Sequence, residues 1–373
     1  MYQQVKLGDK FKLYRGSSPR PIINYISNNN SDPYWIKIGD MPDNGYIVNT
    51  IKEHISIEGA KKSRRVYKGD MILSNSMSFG KPYILNVDGY IHDGWFVIRN
   101  YERSFDRDYL RYLLASPTVQ KRYSQIAAGG VVLNISSDLV NSVIVKIPSL
   151  DEQKKISSFL SVLDERIQVQ NKIIEGLKSS IKAILDCFFA HETNSKIGNY
   201  ITEVSERNKN DFDYPVFSVS NKKGFIPQQE QFEDKVIASD DKSSYKIVRK
   251  NMFAYNPARI NVGSIDLYEL DSPCIVSPMY NCFDVKEIDP MYLLMYFKSS
   301  FFINEMSKRL EGSVRMCLTM NGLKNLPIYI PSMNEMNRLI NVYLVITRKL
   351  QNSTKLLNLY LKQKDYLLSN LFI

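Results

Sequence analysis

The residues that could make or break bonds are few in this chain, and their spacing does not suit that work. Glu152-Gln153-Lys154 matches the E-x-K spacing of many nucleases. Ser149 and Glu152, however, are spaced as a helix capping box, and the corresponding later phrase has Asn337 in place of the lysine. Glu152 therefore reads as structural. SDPYW (31–35) faintly resembles the Asn/Asp-Pro-Pro-aromatic motif of amino-methyltransferases. It has one proline where two are expected and no Gly-rich loop nearby to hold S-adenosylmethionine, so it reads as a turn entering a strand. His54, His92 and His191 are scattered, and Cys187, Cys274, Cys282 and Cys317 have no C-x-x-C spacing. A metal site and a disulfide framework are both disfavoured. No P-loop and no G-x-S-x-G elbow is present.

Other residues suit recognition. SNSMSFGKP (74–82) supplies Ser74, Asn75, Ser76 and Lys81 after a predicted strand. YNPARINVGS (255–264) supplies Asn256, Arg259 and Asn261 at the matching place later in the chain. Asn and Arg can pair bidentately with adenine and guanine edges in the major groove. Loops ahead of two predicted helices add Gly129, Gly130 and Asn134, then Gly312, Ser313 and Arg315. Glycine there permits close backbone approach to a partner. KKSRR brings together Lys61, Lys62, Arg64 and Arg65, a cluster suited to phosphates. The chain's net charge is +10, of which residues 1–150 hold +7 and residues 195–330 none. A basic balance suits DNA or RNA, but charge is not the whole argument.

What positions these residues is a repeat. I-P-S-x-x-E occurs at 147–152 and again at 330–335, an offset of 183. Each phrase ends a strand and caps a helix. A heptad seam follows, Ile156, Leu160, Leu163, Ile167, Gln170, Ile174, Leu177, Ile181, Ile184 and Phe188. Adding 183 gives Leu339, Tyr343, Ile346, Leu350, Ser353, Leu357, Tyr360, Lys364, Leu367 and Leu371, with Lys364 reading as a flaw. Each seam implies a helix of about 38 residues, roughly 57 Å long, with one apolar stripe to bury. The two are expected to pack on each other. The offset persists upstream, where DYLRYLLAS (108–116) aligns with MYLLMYFKS (291–299). The expected fold class is α+β, with two mixed domains joined by two long antiparallel coiled-coil helices in a pseudo-twofold internal repeat. The expected divisions are 1–148, 149–192, 193–331 and 332–373. With no apolar run for a signal peptide or a membrane span, a cytoplasmic protein is expected.

This pattern resembles the specificity subunit of type I restriction-modification systems. IPSLDEQKKISSFLSVLDERI is very similar to that family's central conserved region, and SNSMSFGKPYIL and YNPARINVGSI resemble loops of its target recognition domains. The second helix departs from the family at Met336, where glutamine is usual. The resemblance implies a non-catalytic subunit. Each recognition domain would read half of a split double-stranded DNA site, and the helices would set the gap. Two methyltransferase subunits would bring S-adenosylmethionine, and a restriction and translocation subunit would bring ATP and Mg2+. The alternatives are a self-sufficient nuclease or methyltransferase, against which the missing cofactor loop speaks, and a decoy or scaffold that binds a methyltransferase without productive DNA recognition.

Overall fold

The computed structural model describes residues 2–372 apart from 43–44, 76–79, 128–134, 211, 232–241 and 313–315. The chain forms two compact units, Met1–Asn171 with Lys355–Ile373, and Lys172–Thr354. Each unit therefore contains half of each long helix.

In unit 1 the N-terminal strand Gln3–Lys6 pairs antiparallel with Ile144–Ile147, Gln3 opposite Ile147. The main sheet has the order Lys12–Arg15, Trp95–Arg99, Met71–Ser74, Pro82–Leu85, Ile47–Val48, with only the last pairing parallel. A second sheet sets Gly89–Ile91 between Trp35–Ile36, which is parallel to it, and Arg64–Val66. SDPYW does lead into a strand, Trp35–Ile36. Helix α1 (Ile57–Lys61) precedes the Arg64 strand. Helices α2 (Arg107–Ala115), α3 (Pro117–Ala127) and α4 (Ser137–Ser142) lead to the long helix α5 (Leu150–Phe188). Asp106 caps α2 by accepting from the Tyr109 N–H at 2.9 Å, and Ser136 caps α4. Once capped, α2 buries Tyr109, Leu110, Tyr112, Leu113 and Leu114 beneath the main sheet's Met71, Leu73, Phe96 and Ile98. Leu160 of α5 joins this core.

Unit 2 repeats the plan. Ser195–Lys196 pairs with Pro327–Ile328. The main sheet runs Ile201–Val204, Asn281–Val285, Phe253–Tyr255, Ile265–Leu267, all antiparallel. The second sheet runs Gly224–Pro227, Val216–Ser220, Cys274–Val276, Lys246–Val248, and again its inner pair is parallel. A short helix α6 (Gln228–Gln231) is followed by α7 (Pro290–Phe297), α8 (Ser300–Ser307), α9 (Met320–Lys324) and the long α10 (Met333–Leu371). Caps recur at matching places, Asp289 for α7 and Thr319 for α9.

Both long helices start on the expected capping box. The Glu152 carboxylate accepts from the Ser149 N–H at 3.3 Å, and the Glu152 N–H donates to the Ser149 hydroxyl at 3.4 Å. The matching distances at Ser332 and Glu335 are 3.1 and 3.4 Å. The two helices have 39 residues each, and every seam position named above is buried or half-buried. In unit 1 the core takes Leu160 from α5 together with Leu368 of α10 and the adjacent Phe372. In unit 2 it takes Leu185 and Phe189 with Met336, Leu339, Ile340 and Tyr343. In both units the start of one long helix meets the end of the other, so the paired stretches are antiparallel.

Lys364 corrects the sequence reading, because it is not a flaw in the seam. Its Nζ lies 2.6 Å from a carboxylate oxygen of Asp164, which is itself buried. Residue 153 also differs between the repeats for a physical reason. Gln153 donates to the Ser104 and Pro148 carbonyls and accepts from the Asp106 N–H, all at 3.0 Å, tying α5 to the cap of α2. Met336 at the matching place is buried among apolar side chains.

Candidate nucleic-acid interface

The two loops singled out from sequence lie at the same place in the two units. Residues 75–81 connect Met71–Ser74 to Pro82–Leu85, and residues 256–264 connect Phe253–Tyr255 to Ile265–Leu267. Each connects two paired strands of a main sheet, so a rigid ladder fixes both ends of the loop.

Within these loops the polar residues divide by burial. Ser74 is buried and its hydroxyl accepts from the Lys81 N–H at 3.2 Å, which closes the loop. Asn75 is also buried. Its amide donates to the Asp93 carbonyl at 2.8 Å and its own carbonyl accepts from the Ile135 N–H at 2.8 Å. Asn256 matches it, with a side-chain oxygen accepting from the Ala258 N–H at 3.0 Å. The next carbonyl, that of Pro257, accepts from the Leu318 N–H at 3.0 Å. Both asparagines are thus occupied in shaping the loop and tying it to the segment before α4 or α9. Lys81, Arg259 and Asn261 are exposed. Among the described residues the Arg259 guanidinium has no hydrogen-bond or ion-pair partner.

The KKSRR cluster lies elsewhere in unit 1, at the end of α1 and on the edge strand of the second sheet. Lys61 is 3.6 Å from Glu58. Lys62 donates to the Tyr25 hydroxyl at 2.7 Å, which raises its pKa above the ordinary lysine value. Arg64 donates to the Arg15 carbonyl at 3.1 Å, and Arg65 sits 5.0 Å from the Tyr67 ring centroid. Only Glu58 counters these four cations by an ion pair among the described residues, so the edge stays positive. Ser76, Gly129, Gly130, Asn134, Ser313 and Arg315 lie outside the described residues.

Sequence reasoning missed the residues that hold the first loop. Gln120 of α3 donates to the Gly80 carbonyl at 2.9 Å and to the Leu114 carbonyl at 2.7 Å. Gly80 has φ +68°, and a Cβ there would fall 2.7 Å from the buried Tyr123 ring. The glycine was visible as a letter, but the ring it rests on was not.

The three histidines stay apart, and no metal-ligating group is found among the described residues. A cavity of about 810 Å3 in unit 1 is lined in part by Arg20, Trp35, Lys37, Glu53, His92 and Asp93. Its charges are paired off, Arg20 with Asp93 at 3.0 Å and Lys37 with Glu53. Burial holds the His92 imidazole below its ordinary pKa, with Asp93 opposing. All four cysteines are free, and burial pushes the Cys274 and Cys282 thiols up to about 12, so they are inert.

The same mixed unit is thus used twice, with an anchored hairpin loop and a part of both long helices in each copy. Residues 1–179 match the family model for the type I restriction modification DNA specificity domain. The type I restriction enzyme HindI specificity subunit of Haemophilus influenzae is 25% identical over 194 residues, which is 50% of this chain and 40% of that protein. The chain therefore spans well under two thirds of that relative's length. The type I restriction-modification S subunit from M. genitalium has the same fold at 14% identity, with a TM-score of 0.61 over 100% of this chain and 96% of that one. A chain from a structure of the type I R-M system also gives 0.61, at 15% identity over 98% and 96%.

Proposed function

We propose that this protein is the DNA specificity subunit of a type I restriction-modification complex. Each unit reads one half of a split site in the major groove, and the paired helices set the gap between the halves. The carrying observation is the placement of the two loops. They occupy one position in a repeated fold yet differ in sequence, which suits two heads that read different bases. The buried asparagines preorganise the loops, and base reading falls to exposed residues such as Arg259 and Asn261. The Lys61–Arg65 edge supplies phosphate contacts.

The reaction belongs to partners. The methyltransferase subunits would bind S-adenosylmethionine and take an adenine out of the stack, and the restriction subunit would use ATP and Mg2+. The helices support that docking role. Away from the seam, α5 exposes Phe159, Val162, Val169 and Ile173, and α10 exposes Val342, Val345, Leu356 and Leu359. These follow a second seven-residue pattern, with Arg166 and Lys349 at matching places within it. An exposed apolar stripe of this kind suits a partner helix.

Mapping N6-methyladenine in the host genome with the gene present and deleted tests the proposal. Loss of methylation at one split, asymmetric motif is the expected result. An unchanged map, with a methyltransferase still captured by the purified chain, would favour the decoy instead.

A further inference from the structure

In unit 1 a cavity of about 410 Å3 opens between α2, the start of strand Pro82–Leu85, and facing stretches of α5 and α10. Its wall carries three cations, Lys81, Arg111 and Lys364, against one carboxylate, Asp164. Arg111 is the unusual member. Its side chain is only 5% exposed, and its guanidinium carbon lies 3.4 Å from the Tyr46 ring centroid and 3.7 Å from that of Tyr112. Its Nε and Nη2 are buried and make no hydrogen bond among the described residues. The nearby carboxylate oxygens are 3.5 Å away on Asp164 and 3.9 Å away on Asp108. Asp164 is already engaged, accepting from the Tyr112 hydroxyl at 2.6 Å and pairing with Lys364 at 2.6 Å.

A buried guanidinium with only long ion pairs and no hydrogen bond at Nε and Nη2 is costly, and its planar fork is the shape that grips an oxyanion. The fold itself does not require the charges. At the matching positions of unit 2 stand Leu294, Met295, Thr347 and Ile181, for Arg111, Tyr112, Asp164 and Lys364. Leu294, Met295 and Ile181 belong to that unit's apolar core. The charged set is therefore particular to unit 1.

We infer that this cavity is an oxyanion site that takes a phosphate of the DNA backbone, with Arg111, Lys81 and Lys364 supplying the positive charge of its wall. Lys81 favours DNA as the source, because it ends the proposed recognition loop and lines the same cavity. The inference rests on the DNA-reading function, and free phosphate is the other source of the same chemistry.

The test uses the full chain in complex with its methyltransferase partner. Melting is compared in sodium phosphate and in sodium chloride of equal ionic strength. Affinity for a target duplex and for an unrelated duplex is then followed against salt. Phosphate should raise the melting temperature of the wild type, and Arg111→Leu, which installs the residue of unit 2, should abolish that rise. Arg111→Leu and Lys81→Ala should each lower the slope of log K against log salt by about 1, equally for both duplexes. Lys81 is exposed, so its variant keeps the fold if the Arg111 variant does not. Phosphate stabilisation with unchanged slopes overturns the DNA source and leaves a free-anion pocket. No phosphate effect and no change in slope overturns the site altogether. If the wild-type complex responds to phosphate but does not prefer its target duplex, the oxyanion chemistry stands while the DNA source and the proposed function both fall.

Discussion

At the scale of single residues, exposure divides the polar side chains of the two loops into those that shape the loop and those left open to solvent. The Arg259 guanidinium is exposed with no partner among the described residues, while the Asn75 side chain donates to the Asp93 carbonyl and that of Asn256 accepts from the Ala258 N–H. Arg259→Ala should therefore change methylation at one half-site and leave the other half intact, as read by sequencing modified DNA. Equal loss at both halves would remove Arg259 from base reading. Gly80 should tolerate no side chain, because its φ of +68° and the Tyr123 ring both oppose one. Gly80→Ala should cost about 1–3 kcal/mol in urea unfolding. The sequence made these loops legible as polar and glycine-bearing. It could not separate the buried asparagines from the exposed arginine, since both are hydrogen-bonding letters and burial is decided by distant strands and helices.

At the scale of elements, the sequence was most informative where the physics is local. Capping boxes and seven-residue periodicity depend on neighbours within one or two turns, so both long helices could be read directly. Lys364 could not, because its partner Asp164 lies 200 positions away. Asp164→Ala would leave the half-buried Lys364 without its carboxylate and the buried Arg111 with only Asp108 at 3.9 Å, and should cost about 3 kcal/mol in chemical denaturation. The second cap has a pH signature. The Ser332 hydroxyl and N–H hold the Glu335 carboxyl below the usual glutamate range. A depressed carboxylate contributes stability above its unfolded pKa and loses it as pH falls through the native one. Ser332→Ala should thus lower the melting temperature at neutral pH and shrink the difference from wild type in acid. A difference that grows in acid would contradict the cap. On the exposed stripe, Val345→Asp should weaken co-purification of the methyltransferase while leaving the melting temperature close to wild type.

At the scale of the whole molecule, the repeat in sequence became a repeat in topology. The matching strands, caps and helices recur in the same order even where the letters have diverged. The units were legible as mixed α and β, and compactness assigns the two halves of each long helix to different units. Under the proposed function the gap is a helix length. Adding seven residues at matching places in both long helices adds about 10 Å, or about three base pairs of DNA, to the gap while the half-sites stay the same. A methylation motif with its original gap in that variant would dismiss the ruler.

The sharing of the long helices also bears on how the chain is made. Leu368 and Phe372 lie in the core of unit 1, and the Phe372 carbonyl accepts from the Thr118 hydroxyl across 254 positions at 2.7 Å. At ordinary ribosomal speeds, roughly 13–50 s pass between the synthesis of those two residues. Throughout that interval the first unit waits with an open core. A helper that covers its apolar face during translation, or slower degradation of chains that reach Phe372, would show at the level of synthesis how late this domain is completed.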